Sequence, residues 1–426
     1  MTSSQGPSHA RFARAVGPVA TAAALLGLVF ALYSTYDYAV HLDRQVHAVH
    51  CSFVPGAPIS EDADNACKAA LFSPYSALFR SAYWGGIPIS LFAVGTFSFF
   101  AGFGLYLSLA RERAKRFAWL FLGTTGLLPL VASLFMAVIS ATKLGTFCKL
   151  CVGVYVASTV LAVASVLSLT MFRRAKLPPA PTDGSQRLDL SQLGPRESVG
   201  LPFAWLATLG LCSLSPAMLY AASLPDYKAK LTTCGTLTTK TESHGALLKL
   251  KTERATRPVL LFEDPLCPTC KSFHDRLKIE GALEQLDVTL ALFPLDTECN
   301  WMLDRSLHPG ACLLSRAILC SAQATGDGRA MLEWAFQNQD ELREAGRAGV
   351  ASVKKKVEAR FGPELVACVD DKRTAVKLNQ HLHFASKNRI PISTPQMFLG
   401  DTRICEEDTD LGLRYTLTQL APEVLR

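Results

Sequence analysis

Five long apolar runs constrain this chain more than any other feature of its sequence. They cover residues 16–36, 87–110, 117–141, 147–172 and 201–223. About 20 apolar residues are enough to cross a bilayer as a helix, and a helix satisfies its own backbone polar groups in lipid. A charged fraction of 19% and a mean hydropathy of +0.22 agree with a chain that lies partly in lipid. The sequence therefore predicts a membrane α-helical bundle.

Two of these runs have an alternative interpretation. A cleaved signal peptide is the alternative for 16–36, although that run is longer than the roughly 7–15 apolar residues of such a segment. A re-entrant or buried core helix is the alternative for 201–223, because Pro202 and Pro216 interrupt it. We interpret both runs as membrane-spanning helices.

Positive charges predict the orientation of the spans. Arg11 and Arg14 precede the first run, four basic residues lie in 111–116, and a basic cluster at 173–176 follows the fourth. Lys and Arg near the ends of spans mark the cytoplasmic side. We therefore expect a cytoplasmic N-terminus in the inner (plasma) membrane, and an odd number of spans places the C-terminal residues on the periplasmic side.

The same pattern predicts the domain organisation. We expect a four-span membrane domain at 1–176, a cytoplasmic linker at 177–200, a fifth transmembrane helix at 201–224 and an extracytoplasmic domain at 225–426. The net charge is +7, and the positive residues lie beside the apolar runs. The sequence has no basic stripe with interleaved aromatic residues. Nucleic acid is therefore not an expected partner, whereas membrane lipid is.

Two cysteines and a tyrosine stand at the start of the fourth run. Cys148 and Cys151 are three residues apart, and Tyr155 follows four residues later. In a helix these spacings place both sulfurs and the phenol on one stripe. A structural disulfide or two buried thiols are the alternatives for the cysteines, and an interfacial aromatic for Tyr155. We interpret the group as a redox site that exchanges electrons with a lipid-soluble quinone.

A second CxxC motif lies in the C-terminal domain. A buried strand at 258–263 is followed by a turn and by a helix that opens at Cys267, with Cys270 one turn later. A helix N-terminus stabilises a thiolate and lowers the pKa of the first cysteine. A zinc half-site or a structural disulfide is the alternative.

The order of strand, DPLCPTC and helix, with Ser-Thr-Pro farther along the chain, resembles the thioredoxin-fold disulfide oxidoreductases over residues 255–426. The resemblance implies an α/β thioredoxin-like domain with a helical insertion. It also implies that Cys267 and Cys270 are the catalytic dithiol and that Pro395 is a cis proline facing the sulfurs.

The membrane half resembles the vitamin K epoxide reductase family over residues 15–175. The resemblance rests on a conjunction of residues: Cys51, Cys67, Ser73, the CKLC of residues 148–151 and Tyr155. It implies a four-helix bundle that holds a quinone, either ubiquinone or menaquinone.

The same resemblance assigns roles to these residues. Cys51 and Cys67 would be catalytic loop cysteines that pass electrons to Cys148, and Cys151 would contact the quinone. Ser73 and Tyr155 match the positions that hydrogen-bond the quinone carbonyls; a turn or helix-cap serine is the alternative for Ser73.

Six further cysteines belong to the C-terminal domain: Cys234, Cys299, Cys312, Cys320, Cys368 and Cys405. They allow up to three structural disulfides, and the short loop between Cys299 and Cys312 makes these two the predicted pair. The histidines His274, His308, His381 and His383 are scattered, as is usual for solvated helix positions. We therefore expect no metal site.

Together these features predict a thiol:quinone oxidoreductase that forms disulfides. Electrons from reduced secreted or periplasmic proteins would pass through the CPTC, the loop cysteines and the CKLC to the quinone pool. A reductase or isomerase relay in the opposite direction, a membrane metallochaperone and a scaffold with structural disulfides are the alternatives.

Overall fold

A computed structural model describes residues 7–42, 70, 73–110, 114–145, 147–174, 200–250, 252, 255 and 257–425. The predicted loop cysteines Cys51 and Cys67 lie outside these residues. The chain divides into two compact units: Met1–Phe79 with Gly86–Leu224, and Arg80–Gly85 with Pro225–Arg426.

The first unit is a bundle of apolar helices. In chain order they are α1 (Pro7–Leu42), α2 (Ile89–Ala110), α3 (Arg116–Thr125), α4 (Leu128–Ile139), α5 (Lys149–Arg174) and α6 (Gly200–Ser223). Among the described residues, five helical stretches are long and apolar enough to cross a membrane, with α3 and α4 forming one of them. The predicted membrane bundle with a fifth helix is confirmed by the length and composition of these helices.

Two of these spans differ from the prediction. Helix α1 continues to Leu42, beyond the predicted end at Tyr36. The third span is two helices, which meet at Gly126 and Leu127, and Pro129 stands at the start of α4. Proline has no N–H group, and the N–H groups in the first turn of a helix have no partner within that helix. Starting a new helix at Pro129 therefore costs little.

Small residues let the membrane helices approach closely. Helix α1 packs against α2 and α5, and α2 packs against α6. A Cβ atom on Gly95 of α2 would lie 1.9 Å from the carbonyl oxygen of Cys212 in α6. The hydroxyls of Thr96 and Ser213 are 2.8 Å apart beside this contact. Helix α6 is therefore joined to α2 by backbone contact and a hydrogen bond, which are the interactions that hold helices together in lipid.

Two short strands, β1 (Ala77–Leu78) and β2 (Ile87–Pro88), pair antiparallel in the first unit. The second unit contains a five-stranded sheet in the order β3-β5-β4-β6-β7. Its strands are β3 (Leu248–Leu250), β4 (Arg257–Glu263), β5 (Leu286–Leu292), β6 (Gln396–Leu399) and β7 (Thr402–Arg403). Strands β4 and β5 are parallel, and β3, β6 and β7 run antiparallel to their neighbours.

Helices cover both faces of this sheet, so its central strands are buried on both sides. The helices are α7 (Pro268–Ile279), α8 (Ala311–Thr325), α9 (Arg329–Gln337), α10 (Gln339–Ala348), α11 (Val350–Phe361), α12 (Pro363–Asp370), α13 (Lys372–Lys387) and α14 (Leu413–Leu420). Val259 and Leu261 pack with α7 and α14, whereas Leu260 and Phe262 pack with α13 on the opposite face. Alternate residues of one strand thus serve two cores.

The second unit confirms the predicted α/β thioredoxin-like fold. Strand β4, helix α7 and strand β5 form a parallel βαβ unit, and β6 and β7 form the predicted hairpin. Helices α8 to α13 are the predicted helical insertion between β5 and β6. The edge strand β3 is absent from the sequence prediction.

Three disulfides link the six remaining cysteines of the second unit. The predicted pair Cys299–Cys312 is confirmed. The other two disulfides, Cys234–Cys405 and Cys320–Cys368, join cysteines that are 171 and 48 residues apart in the chain.

The close approach of α2 and α6 predicts a difference between two glycines of the same helix. Gly95→Ala should destabilise the protein by about 1–3 kcal/mol, because the new methyl group overlaps the Cys212 carbonyl. Gly102→Ala is the matched control, since a Cβ atom there meets no atom within 4 Å. Thermal unfolding of both variants in detergent measures the difference. Equal melting temperatures would contradict this packing.

Candidate active site

The membrane cysteines lie at the start of α5. Cys148 directly precedes the helix, and its carbonyl oxygen accepts the N–H of Val152 at 3.0 Å as in a helical turn. Gly145 ends the preceding π-helical turn with φ +67°, a conformation that favours glycine. Cys148 is 1% exposed, whereas Cys151 is half-buried. The two thiols share a side-chain hydrogen bond.

Tyr155 lies one helical turn after Cys151, and its side chain is half-buried. Its phenol shares a side-chain hydrogen bond with Ser140 and interacts electrostatically with Cys151 and Cys148. The structure therefore brings the two sulfurs and the phenol to one side of the start of α5, where the spacing predicts them.

Ser73 is buried in the turn that precedes β1. Its hydroxyl donates a hydrogen bond of 2.9 Å to the carbonyl of Ala70, and its own carbonyl accepts the hydroxyl of Ser76 at 2.7 Å. The hydroxyl proton is engaged in this arrangement. Donation to a quinone carbonyl therefore needs a rotation of the Ser73 side chain.

The CPTC cysteines occupy the start of α7. Cys267 is the N-cap residue, and Pro268 is the first helical residue. The Cys267 sulfur lies 3.3 Å from the Thr269 hydroxyl and 3.4 Å from the carbonyl oxygen of Thr394. The Thr394–Pro395 peptide bond is cis. Pro395 therefore belongs to the loop that contacts this sulfur.

The two CPTC thiols differ in their pKa. The hydrogen bond from Cys270 is the largest cause that lowers the pKa of Cys267 to about 6; burial and the charge of Asp264 oppose it. Complete burial and the neighbouring Cys267 raise the pKa of Cys270 well above the ordinary thiol value. Cys267 is thus the thiolate at neutral pH, and Cys270 is the protonated thiol that can close a disulfide.

Two acidic residues precede the CPTC at the end of β4. Glu263 is fully buried, and among the described residues no hydrogen-bond partner reaches either carboxylate oxygen. Burial and the charge of Cys267 raise its pKa to about 8. Asp264 is also fully buried, but its carboxylate accepts the backbone N–H groups of Leu266 and Leu295, each at 2.7 Å. Sequence reasoning assigned neither residue a role, although both adjoin the CPTC motif.

His308 completes this group. Its Nδ1 lies 2.7 Å from a carboxylate oxygen of Asp264, and its side chain is 12% exposed. The expectation that the histidines are solvated is wrong for His308 and also for His274 and His381, which are buried. Among these residues only His383 is exposed. No local sequence signal links His308 to Asp264, because 44 residues separate them.

A comparison with known protein families matches the membrane part of the chain. Residues 18–166 match the model of the vitamin K epoxide reductase family. No curated protein sequence matches the chain. The family match to the membrane unit supports a membrane-bound thiol oxidoreductase.

Several solved structures are similar to part of the chain. They include a thioredoxin-like oxidoreductase from Silicibacter pomeroyi DSS-3, with 15% identity and a TM-score of 0.27 over 41% of this chain and 92% of that chain. A periplasmic thioredoxin-like protein from Salmonella enterica serovar Typhimurium has 17% identity and a TM-score of 0.27 over 42% and 90%. ScsC from Proteus mirabilis has 16% identity and a TM-score of 0.29 over 52% and 95%.

The fold of the second unit rests on its own strand order and its βαβ connection. The chain thus joins residues 18–166, which match the vitamin K epoxide reductase family, to a domain with a thioredoxin-like fold.

Proposed function

We propose that this protein is a quinone-dependent thiol oxidoreductase that generates disulfides at the inner (plasma) membrane. The observation that carries the proposal is the group of Cys148, Cys151 and Tyr155 at the start of a membrane-spanning helix. A dithiol beside a phenol at lipid level suits electron transfer to a neutral carbonyl compound that enters from the bilayer.

The residues at this position fit a quinone. Cys151 and Tyr155 are both half-buried and one helical turn apart, so a planar ring beside them would meet a sulfur and a phenol together. The phenol can donate a hydrogen bond to a carbonyl oxygen. A quinone of the ubiquinone or menaquinone class would supply a two-electron, two-proton acceptor there. Ser73 stays a predicted second donor.

The thiol chemistry of the route balances at each step. A thiolate of the reduced substrate attacks the sulfur of Cys267, and the bond to Cys270 breaks with its electron pair on Cys270, which takes up a proton. The second substrate thiolate displaces Cys267, so the substrate gains a disulfide and the CPTC holds two electrons. The same exchange passes these electrons to Cys51 and Cys67 and then to Cys148 and Cys151.

Quinol formation tests the whole route. Purified full-length protein with a reduced dithiol protein and a soluble quinone should form quinol, whereas Cys51→Ala, Cys148→Ala and Cys267→Ala should fall to the background rate, because each removes an exchanging sulfur. Cys212→Ala is the matched control, since this free cysteine lies in α6 and belongs to neither CxxC motif. Absence of quinol with the parent, or a Cys148 variant as fast as the parent, would overturn the proposal. The reduction potentials of the two CxxC pairs test the direction of electron flow. A potential of the Cys148–Cys151 pair below that of the Cys267–Cys270 pair would indicate flow in the opposite direction.

Tyr155→Phe tests the quinone contact separately. Loss of one hydrogen bond should raise KM for the quinone by up to about tenfold, which corresponds to roughly 1.4 kcal/mol. Disulfide exchange between the cysteine pairs should continue, and Tyr106→Phe in α2 should behave as the parent. A Tyr155 variant that loses thiol exchange would count against a role at the quinone.

The pKa of Cys267 predicts a pH profile for its reactivity. The thiolate fraction should be nearly complete at pH 7 and fall through one half near pH 6, because the pKa is lowered to about 6. Cys270 should stay unreactive up to pH 8, since burial raises its pKa. Short iodoacetamide pulses on mildly reduced protein, followed by peptide mass spectrometry, measure both cysteines. A Cys267 profile with its midpoint above pH 8 would refute the assignment of Cys267 as the attacking thiolate.

A further inference from the structure

A buried negative charge stands beside the CPTC sulfurs. Asp264 lies three residues before Cys267, and its backbone N–H donates to the Cys270 sulfur at 3.5 Å. Its carboxylate is fully buried, and its charge opposes thiolate formation at Cys267. An uncompensated carboxylate at this position would work against the reactivity of the attacking sulfur, so its counter-charge matters to the chemistry.

His308 supplies that counter-charge from a loop that is held at several points. Its ring contacts Asp264, and its backbone N–H donates to the carbonyl of Leu295 at 3.0 Å. The Cys299–Cys312 disulfide closes the loop around it. Asp296 also binds the loop, because its carboxylate accepts the N–H of Gly310 at 2.9 Å and the hydroxyl of Ser306 at 2.8 Å. The imidazole is therefore fixed in place.

The charged groups that face His308 come from three elements. Asp264 directly follows β4, Cys267 is the N-cap of α7, and Arg343 belongs to α10. Burial lowers the pKa of His308, but the hydrogen bond and charge of Asp264, helped by Cys267, outweigh burial and Arg343, so the pKa is raised above the ordinary value. A raised pKa extends the imidazolium form upward in pH. The protonated ring and the carboxylate, whose closest atoms are 2.7 Å apart, form an ion pair.

We propose that His308 is a positioning residue for disulfide exchange: as the partner of Asp264 it cancels the carboxylate charge beside Cys267, and so favours the thiolate and the oxidising character of the Cys267–Cys270 pair. This role rests on the proposed exchange function. It acts at the step in which Cys267 leaves the mixed disulfide as a thiolate while the substrate sulfurs bond to each other. The histidine itself exchanges no electrons.

The test uses the full chain in detergent with His308→Gln, Asp264→Asn and the double variant. Glutamine can still donate to the carboxylate but carries no charge. The midpoint of Cys267 alkylation should rise by about one pH unit in His308→Gln, and the equilibrium with glutathione should move about tenfold toward the disulfide. Asp264→Asn should lower the midpoint, and the double variant should return toward the parent.

His383→Gln is the matched control, because this histidine is exposed and its ring faces Trp301. An unchanged alkylation midpoint in His308→Gln would overturn the proposal. So would a double variant whose midpoint lies as far from that of the parent as the midpoint of His308→Gln does. If His308→Gln does not fold, Asp264→Asn decides alone, since an unchanged midpoint there refutes the role of the carboxylate. Neither measurement needs quinone, so failure of the quinone route would appear only in the quinol assay.

Discussion

Both CxxC pairs of this protein depend on the same constraint, which is a cysteine held at the first residue before a helix. Cys148 precedes α5 and Cys267 precedes α7, so each sulfur lies near N–H groups that have no partner within the helix. The second cysteine of each pair follows one turn later, and its thiol shares a side-chain hydrogen bond with the first. The two sites differ in what surrounds this second cysteine. Cys151 is half-buried in a membrane helix, whereas Cys270 is completely buried in a protein core.

The two units reach stable packing by different physical means. In the sheet, alternate apolar residues of β4 fill two cores, and water drives their burial. In the membrane unit, lipid is as apolar as the side chains, so close backbone approach and hydroxyl hydrogen bonds hold the helices together. The contact between Gly95 and Cys212 and the bond between Thr96 and Ser213 make α6 part of the bundle. It therefore does more than lead the chain across the membrane.

The sequence could predict those features that depend on local pattern. Apolar length identified the five spans, alternation and turn residues identified β4 and the hairpin, and a short loop identified Cys299–Cys312. Features that depend on distant parts of the chain were missed. The edge strand β3 is only three residues long, and Asp264 meets His308 across 44 residues. The roles of Cys51 and Cys67 stay predictions, since these residues lie outside the described part of the chain.

Glu263 and Asp264 show how neighbouring acids can differ in their surroundings at one site. The carboxyl group of Glu263 has no hydrogen-bond partner among the described residues, and its pKa of about 8 keeps it mostly protonated at neutral pH. The Asp264 carboxylate accepts two backbone N–H groups and lies in hydrogen-bond contact with His308. In the proposed pair, His308 compensates the charge of Asp264 beside the CPTC. With that charge compensated, the hydrogen bond from Cys270 and the helix N-terminus determine whether the Cys267 sulfur is a thiol or a thiolate. The acidity of the attacking sulfur thus depends on a loop that is far from it in sequence.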